Sequence, residues 1–213
     1  MKGLFITFEG TDGSGKSTQI RLLNEYLSAK GLKTYLTREP GGCPIAEQLR
    51  EIILNADNQA LSPACELLLY EAARAQHMSE VILPALERGE IVICDRFMDS
   101  TVAYQGYARG FSVPWIEELN RFAIAGRAPD LTIFLNLPPE AAFVRKGGKD
   151  ANDRIEQADT AFFDKVYEGF LQLAAKNPMR ICTLNVQGTK YETQELVRQR
   201  IDQLIEEAQQ ETA

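Results

Sequence analysis

Short apolar runs alternate with longer stretches of helical spacing along this chain. Positions 4–8 (Leu-Phe-Ile-Thr-Phe) read as a buried strand, followed by a glycine-rich turn. Ile20, Leu22, Leu23, Tyr26 and Leu27 then recur at helical spacing up to Gly31, a residue suited to stopping a helix. Positions 34–37 predict a second strand, ended by Pro40-Gly41-Gly42, and Ile45, Leu49, Ile52 and Ile53 mark another helix. Helical spacing runs over 64–88 to Gly89, with Pro84 expected to kink or interrupt it. Positions 91–94 are wholly apolar, as strands buried on both faces are. Positions 131–137 and 180–186 predict two further strands, with helices between them and over 192–207. This alternation implies an α/β fold with a five-stranded parallel sheet flanked by helices. Positions 145–154 are polar, charged and glycine-bearing, and predict an exposed mobile loop.

The chain has 213 residues and no repeat or linker, which points to one domain with a sizeable core. Hydrophobic residues at 45% and charged residues at 25% exclude a disordered or fibrous chain. A net charge of -7 argues against nucleic acid and anionic membranes as partners, since both select basic surfaces. The single histidine, His77, excludes sites that need several His ligands. Cys43, Cys65, Cys94 and Cys182 are too widely spaced for a C-x-x-C motif and read as free thiols of a reducing compartment. The N-terminal apolar run breaks at Glu9 and Asp12 without a cleavage signature, so no signal peptide is expected. No stretch approaches the roughly 20 apolar residues of a membrane helix. A soluble, cytoplasmic protein is the expectation.

Gly10-Thr11-Asp12-Gly13-Ser14-Gly15-Lys16-Ser17 fits G-x-x-x-x-G-K-[ST] directly after a predicted strand and before a predicted helix. Glycines there let backbone N–H groups curl around phosphate oxygens, and the helix N-terminus adds partial positive charge. Thr18 continues that helix start. Lys16 would reach the β- and γ-phosphates of a nucleotide, and the Ser17 hydroxyl would ligate Mg²⁺. Such a loop serves switch GTPases, ATPases and small-molecule kinases alike. The chain lacks both an N-K-x-D segment for guanine and an L-S-G-G-Q transporter signature. Asp95-Arg96 follows the third predicted strand, at the sheet edge where α/β proteins bind ligands. Asp95 could hold Mg²⁺ directly or through water, and Arg96 could bridge two phosphate groups.

Four segments together resemble the thymidylate kinase family, and its bacterial branch most closely. They are Phe8 to Ser17 around the phosphate-binding loop, Thr37-Arg38-Glu39-Pro40-Gly41-Gly42, Asp95-Arg96-Phe97-Met98-Asp99-Ser100-Thr101-Val102-Ala103-Tyr104-Gln105-Gly106, and Asp153-Arg154-Ile155-Glu156. They occur in the family's order and spacing, within a likeness spanning Phe5 to about Gly169. The resemblance implies a P-loop kinase fold with a short lid and Mg-ATP as donor. The reaction it implies phosphorylates dTMP to dTDP, in dTTP biosynthesis.

It also implies residue roles. Asp12 matches the carboxylate that accepts the sugar 3′-hydroxyl. Arg38 and Arg50 match positions near the acceptor phosphate, where guanidinium forks bind bidentately. Glu39 is expected near the metal or the phosphates' waters. Tyr70 matches the aromatic that stacks on thymine, Arg74 a donor to a thymine carbonyl, and Gln105 the reader of N3 and its neighbouring carbonyl. Tyr104 matches a position that crowds the 2′ carbon, with Ser100 and Thr101 beside it. Positions 145–154 match the lid, whose cations Arg145, Lys146, Lys149 and Arg154 would stabilise the transferring phosphoryl group in the lid-supplied arrangement. Lys149 stands where many bacterial relatives carry arginine. A homodimer is implied, with the helical stretches 64–88 and 112–124 as candidate faces. The competing readings are a kinase for another nucleotide and a nucleotide-dependent switch without fast turnover. Thymine-suited donors and acceptors at Arg74 and Gln105 separate the first. The lid cations and a second phosphate site separate the other.

Overall fold

Five parallel strands carry the computed structural model, which describes residues 3–148 and 152–210. They are β1 (Leu4–Glu9), β2 (Thr34–Arg38), β3 (Ile91–Asp95), β4 (Leu131–Asn136) and β5 (Ile181–Asn185), in the order β2-β3-β1-β4-β5. Both faces are covered, which is why β1, β3 and β4 are almost wholly apolar within their spans; the buried Thr7 and Thr132 hydroxyls hydrogen-bond to each other at 2.8 Å. Side chains alternate across each strand. Leu4, Ile6 and Phe8 pack with Ile20, Leu23 and Leu27 of α1 (Lys16–Ala29) and with Val197, Ile201 and Leu204 of α9 (Lys190–Gln210). On the other face Phe5 meets Val92, Cys94 and Phe97, while Phe134 packs with Phe162, Phe163 and Phe170 of α8 (Thr160–Lys176). Each such fully buried Leu, Ile or Phe contributes about 1.5–3 kcal/mol relative to exposure.

The register pairs Phe8 and Arg38 with the same residue, Asp95. The carboxyl ends of β1, β2 and β3 therefore finish level, and the loops after them converge on one cleft. α2 (Pro44–Leu54) follows β2, and α6 (Val113–Ala123) precedes β4.

The helical stretch over 64–88 is interrupted ahead of Pro84, as expected, and consists of three pieces. α3 (Pro63–His77) is capped by Ser62 Oγ, which accepts from Cys65 N at 3.3 Å. A π-helical turn, Met78–Ile82, joins it to α4 (Leu83–Glu87). Pro84 has no N–H and its ring crowds the carbonyl four residues back; the wider turn absorbs that conflict. A second π-helical segment, Val102–Ala108, continues α5 (Met98–Thr101) and carries Tyr104 and Gln105. Hydrophobic periodicity had no means to reveal it, because π turns keep the same residue types.

The predicted loop over 145–154 is corrected in part. Arg145 and Lys146 form the last turn of α7 (Pro139–Lys146), which ends at Gly147 with φ +84°. Lys149 lies outside the described residues. Arg154 is buried, at 8% exposure, rather than free on a loop. No helix among the described residues is long and apolar enough to cross a membrane.

Candidate active site

The phosphate-binding loop leaves β1 at Glu9 and enters α1 at Lys16. Thr11 Oγ1 donates to Leu137 O at 3.1 Å, tying the loop to the end of β4. Gly13, at φ +90°, lies so close to α7 that a Cβ there would stand 2.1 Å from Ala142 O. Only glycine meets both demands. Lys16 Nζ donates to Gly10 O at 3.0 Å and Thr11 O at 3.1 Å, and lies 3.5 Å from Asp12 Oδ1. Burial and the neighbouring Arg96 charge lower its pKa, against the opposing pull of Asp12, Asp95 and Glu9. Ser17 Oγ donates to Asp95 Oδ2 at 3.2 Å. A hydroxyl and a carboxylate so placed are the hard oxygen donors Mg²⁺ takes, with phosphates and water supplying the rest. Among the described residues no cluster of three His, Cys, Asp or Glu could cage a metal without such help.

Arg96 closes the floor of the cleft in a left-handed conformation, φ 66°, that costs a non-glycine residue about 1–3 kcal/mol. Its Nη2 donates to Asp12 Oδ1 at 2.7 Å and its Nη1 to Ser100 Oγ at 3.1 Å, and the guanidinium lies 5.4 Å from the Tyr104 ring centre. Burial alone would raise the Asp12 carboxyl, but the charges of Arg96 and Lys16 outweigh it and hold it well below the ordinary carboxylate range.

Glu9 orders this floor from beneath. Its carboxylate accepts from Phe97 N at 2.8 Å, Ser100 N at 3.2 Å and Ser100 Oγ at 2.6 Å. Complete burial, then the charge of Asp99, lifts its pKa from 4.5 to about 7, although Arg96 and these hydrogen bonds pull the other way. Sequence reasoning assigned Glu9 no role. The available signal was a lone carboxylate closing an apolar strand just before Gly10.

On the facing wall, Arg38 Nη1 and Arg50 Nη1 both donate to Pro40 O, at 2.8 and 2.9 Å. Burial, together with the charge of Arg38, lowers the Arg50 pKa. Arg38 Nη2 also pairs with Glu47 Oε2 at 2.9 Å, so two guanidinium groups against one carboxylate leave a net positive charge for an anion. Farther along α3, Tyr70 and Arg74 line the cleft with Ser100, Thr101, Tyr104 and Gln105. Arg74 is 2% exposed: Nε donates to Glu39 Oε2, and Nη1 to Glu71 Oε1 and Asn120 Oδ1, all at 2.9 Å. Glu39, expected near the metal or the phosphates' waters, lines the cleft, and its carboxylate is held by Arg74 and by His77 Nδ1 at 3.1 Å, while His77 Nε2 meets Thr37 Oγ1 at 2.7 Å. His77 and Asn120 thus buttress the site, a role no motif announced.

The lid cations separate into different places. Arg145 Nη2 lies 3.8 Å from where a Cβ on Gly15 would stand, directly over the phosphate-binding loop. Lys146 pairs with Glu156. Arg154, expected beside them, is turned away: Nη2 pairs with Glu66 at 2.6 Å and Nε donates to Ile53 O at 3.0 Å. The backbone N–H of Arg154 also donates to Leu54 O at 2.8 Å, and Asn55 and Asp153 form a short antiparallel bridge. Arg154 therefore anchors the returning end of the lid to α2 and α3. The cleft enclosed by these walls has a volume of about 560 Å³.

Comparison with known proteins agrees with this geometry. Residues 8–199 match the family model described as Thymidylate kinase. A thymidylate kinase of Citrifermentans bemidjiense is 49% identical over 96% of this chain and 93% of the relative. One of Geotalea daltonii is 54% identical over 81% and 84%, and one of Bacillus velezensis 45% over 98% and 97%. The crystal structure of thymidylate kinase from Ehrlichia chaffeensis superposes with a TM-score of 0.78 at 36% identity, covering 95% of this chain and 99% of that one. The sheet, the phosphate-binding loop and these matches over nearly the whole length agree, and the chain belongs to the thymidylate kinase family, enzymes that phosphorylate dTMP to dTDP with ATP.

Proposed function

We propose that the cleft holds Mg-ATP along Gly10 to Thr18 and dTMP along Asp12, Arg38, Arg50, Tyr70, Arg74, Ser100, Thr101, Tyr104 and Gln105. The observation that carries this reading is the pair of cationic sites on facing walls, Lys16 on one and Arg38 with Arg50 on the other, meeting at Arg96. A donor and an acceptor phosphate seated there face one another across Arg96. Phosphoryl transfer passes through a loose transition state with charge spread over equatorial oxygens, so positioning and positive charge supply the catalysis. Lys16, Arg96 and Arg145 provide that charge, with Lys149 as a further lid candidate. Arg154 supports the lid from beneath rather than touching the phosphates. Arg38 and Arg50 orient the attacking phosphate oxygen, and Asp12 retains an exposed share of 31% through which to meet the sugar. Ser17 and Asp95 would hold Mg²⁺, which when bound neutralises phosphate charge.

The enzyme is proposed to work as a homodimer in the cytoplasm. α3 and α6 carry exposed Leu68, Trp115 and Phe122, and the four cysteines are free thiols, as a reducing compartment keeps them. The test of the substrate assignment is ADP release with Mg-ATP over a panel of nucleoside monophosphates. The expected result is clear preference for dTMP; preference for dCMP or AMP overturns the assignment.

A further inference from the structure

One buried carboxylate outside the reacting centre gathers four hydrogen bonds. Glu66 is 1% exposed and lies one turn before Tyr70 and two before Arg74 on the same face of α3. Its Oε1 accepts from Gln105 Nε2 at 2.9 Å and Arg109 Nε at 3.2 Å. Its Oε2 accepts from Arg109 Nη2 at 3.1 Å and Arg154 Nη2 at 2.6 Å. Burial alone would raise its pKa, but the hydrogen bonds from Gln105 and Arg154 and the charge of Arg109 outweigh it and hold the group below its ordinary value. Glu66 is therefore ionised and can only accept.

That has a consequence for Gln105. A primary amide has a donor end and an acceptor end, and which way it faces follows from its hydrogen-bond partners. Against an ionised carboxylate only the NH₂ end is tolerated; the reverse would set two acceptors face to face in a buried site. The carbonyl Oε1 is left over. Among the described residues nothing donates to it, and Gln105 lines the cleft. The site thus offers the base an acceptor. The ring N3 of a 4-oxo pyrimidine carries a hydrogen and matches that acceptor. The ring N3 of a 4-amino pyrimidine is itself an acceptor and is repelled.

We propose that Glu66 is a specificity-determining positioning residue: it locks the Gln105 amide with Oε1 toward the base, so that the site takes 4-oxo and rejects 4-amino pyrimidine nucleotides. This rests on the reading of the cleft as the dTMP site. A neutral amide at position 66 removes the lock, because it can rotate to donate and let Gln105 turn over. Arg109→Lys disturbs the same cluster while leaving the carboxylate, and is the control.

The experiment measures kcat/KM for dTMP and for dCMP on one preparation of each protein. The ratio of the two is independent of the active fraction, so partial misfolding leaves it unmoved. The expected result is that Glu66→Gln lowers the dTMP-to-dCMP ratio by about tenfold or more while Arg109→Lys keeps it near wild type. An unchanged ratio in Glu66→Gln, or an equal fall in both variants, overturns the proposal. A wild type that favours dCMP overturns instead the substrate reading beneath it. Should Glu66→Gln fail to fold, neutron diffraction of the wild-type dTMP complex decides, since it separates amide N from O. Nε2 on Glu66 with Oε1 on N3 supports the lock, and the reverse orientation refutes it.

Discussion

Glu9→Gln should stabilise this protein at neutral and alkaline pH. The wild-type carboxyl is buried beneath the cleft, with a pKa raised from 4.5 to about 7 by burial and by Asp99. A folded-state pKa above the unfolded value means that the native state binds the extra proton between those limits. Stability is then greatest at low pH and falls as pH rises from about 4.5, levelling above about 7. At 1.36 kcal/mol per pH unit, the full loss is about 3 kcal/mol. Glutamine has nearly the same shape and carries no charge. Its oxygen can accept from Phe97 N and Ser100 N, and its NH₂ can donate to Ser100 Oγ, so the local hydrogen bonds persist. The variant should match the wild type to within about 1 kcal/mol at pH 5 and exceed it by about 3 kcal/mol at pH 8.5. Urea unfolding of both proteins across this range reads the difference as a midpoint shift of about 1 M or more at the upper end. A stability difference that does not change with pH would refute the reasoning, because every other titrating group is common to both proteins.

Other expectations follow from the same geometry. Lys16→Ala should lower kcat by about a hundredfold or more while changing the dTMP KM only a few-fold, since its charge acts on the transferring group; steady-state kinetics decide. Arg74→Ala should raise the dTMP KM and also destabilise by about 3–5 kcal/mol, because buried Glu39 and Glu71 lose their partner; an unchanged KM removes Arg74 from the base site. Gly13→Ala should push α7 from the phosphate-binding loop, lowering Tm and raising the ATP KM, as seen by calorimetry and kinetics. Phe122→Arg should shift the sedimentation coefficient toward a monomer if α6 forms the dimer face.

Much of this protein was legible in its sequence. The five strands and the phosphate-binding loop appear because both are written in local code: largely apolar buried runs in β1, β3 and β4, shorter mixed runs in the edge strands β2 and β5, and glycines required by backbone geometry at a fixed spacing. Lys16 and Ser17 could be named because the loop they close is contiguous in the chain, and Asp95 because it ends an apolar strand at the sheet edge where α/β proteins bind ligands, although its partner Ser17 lies 78 positions away. Other features resisted. The interruption expected at Pro84 in the 64–88 stretch is there, but its form, a π turn, was not legible because its residues keep helical periodicity. Arg154 read as an exposed lid cation because charge and glycine content describe a loop, not its docking partner. Its burial depends on Glu66, 88 positions away. Glu39 read as a carboxylate near the metal or the phosphates' waters, with no sign of what holds it. Its partners Arg74 and His77 lie more than 30 positions further on.

Sequence alone determined the α/β sheet, the nucleotide loop and the family resemblance, since each depends on local pattern or on ordered motifs. Only the tertiary structure decided which cations face the cleft and which are consumed in holding it. A charged side chain is free or spent according to the carboxylates packed against it, and those arrive from distant helices: Glu66 and Glu71 from α3 and Glu39 from the end of β2. The same packing gave Glu9 its pKa and the Gln105 amide its direction, because burial removes water as the alternative partner and leaves the fold to choose.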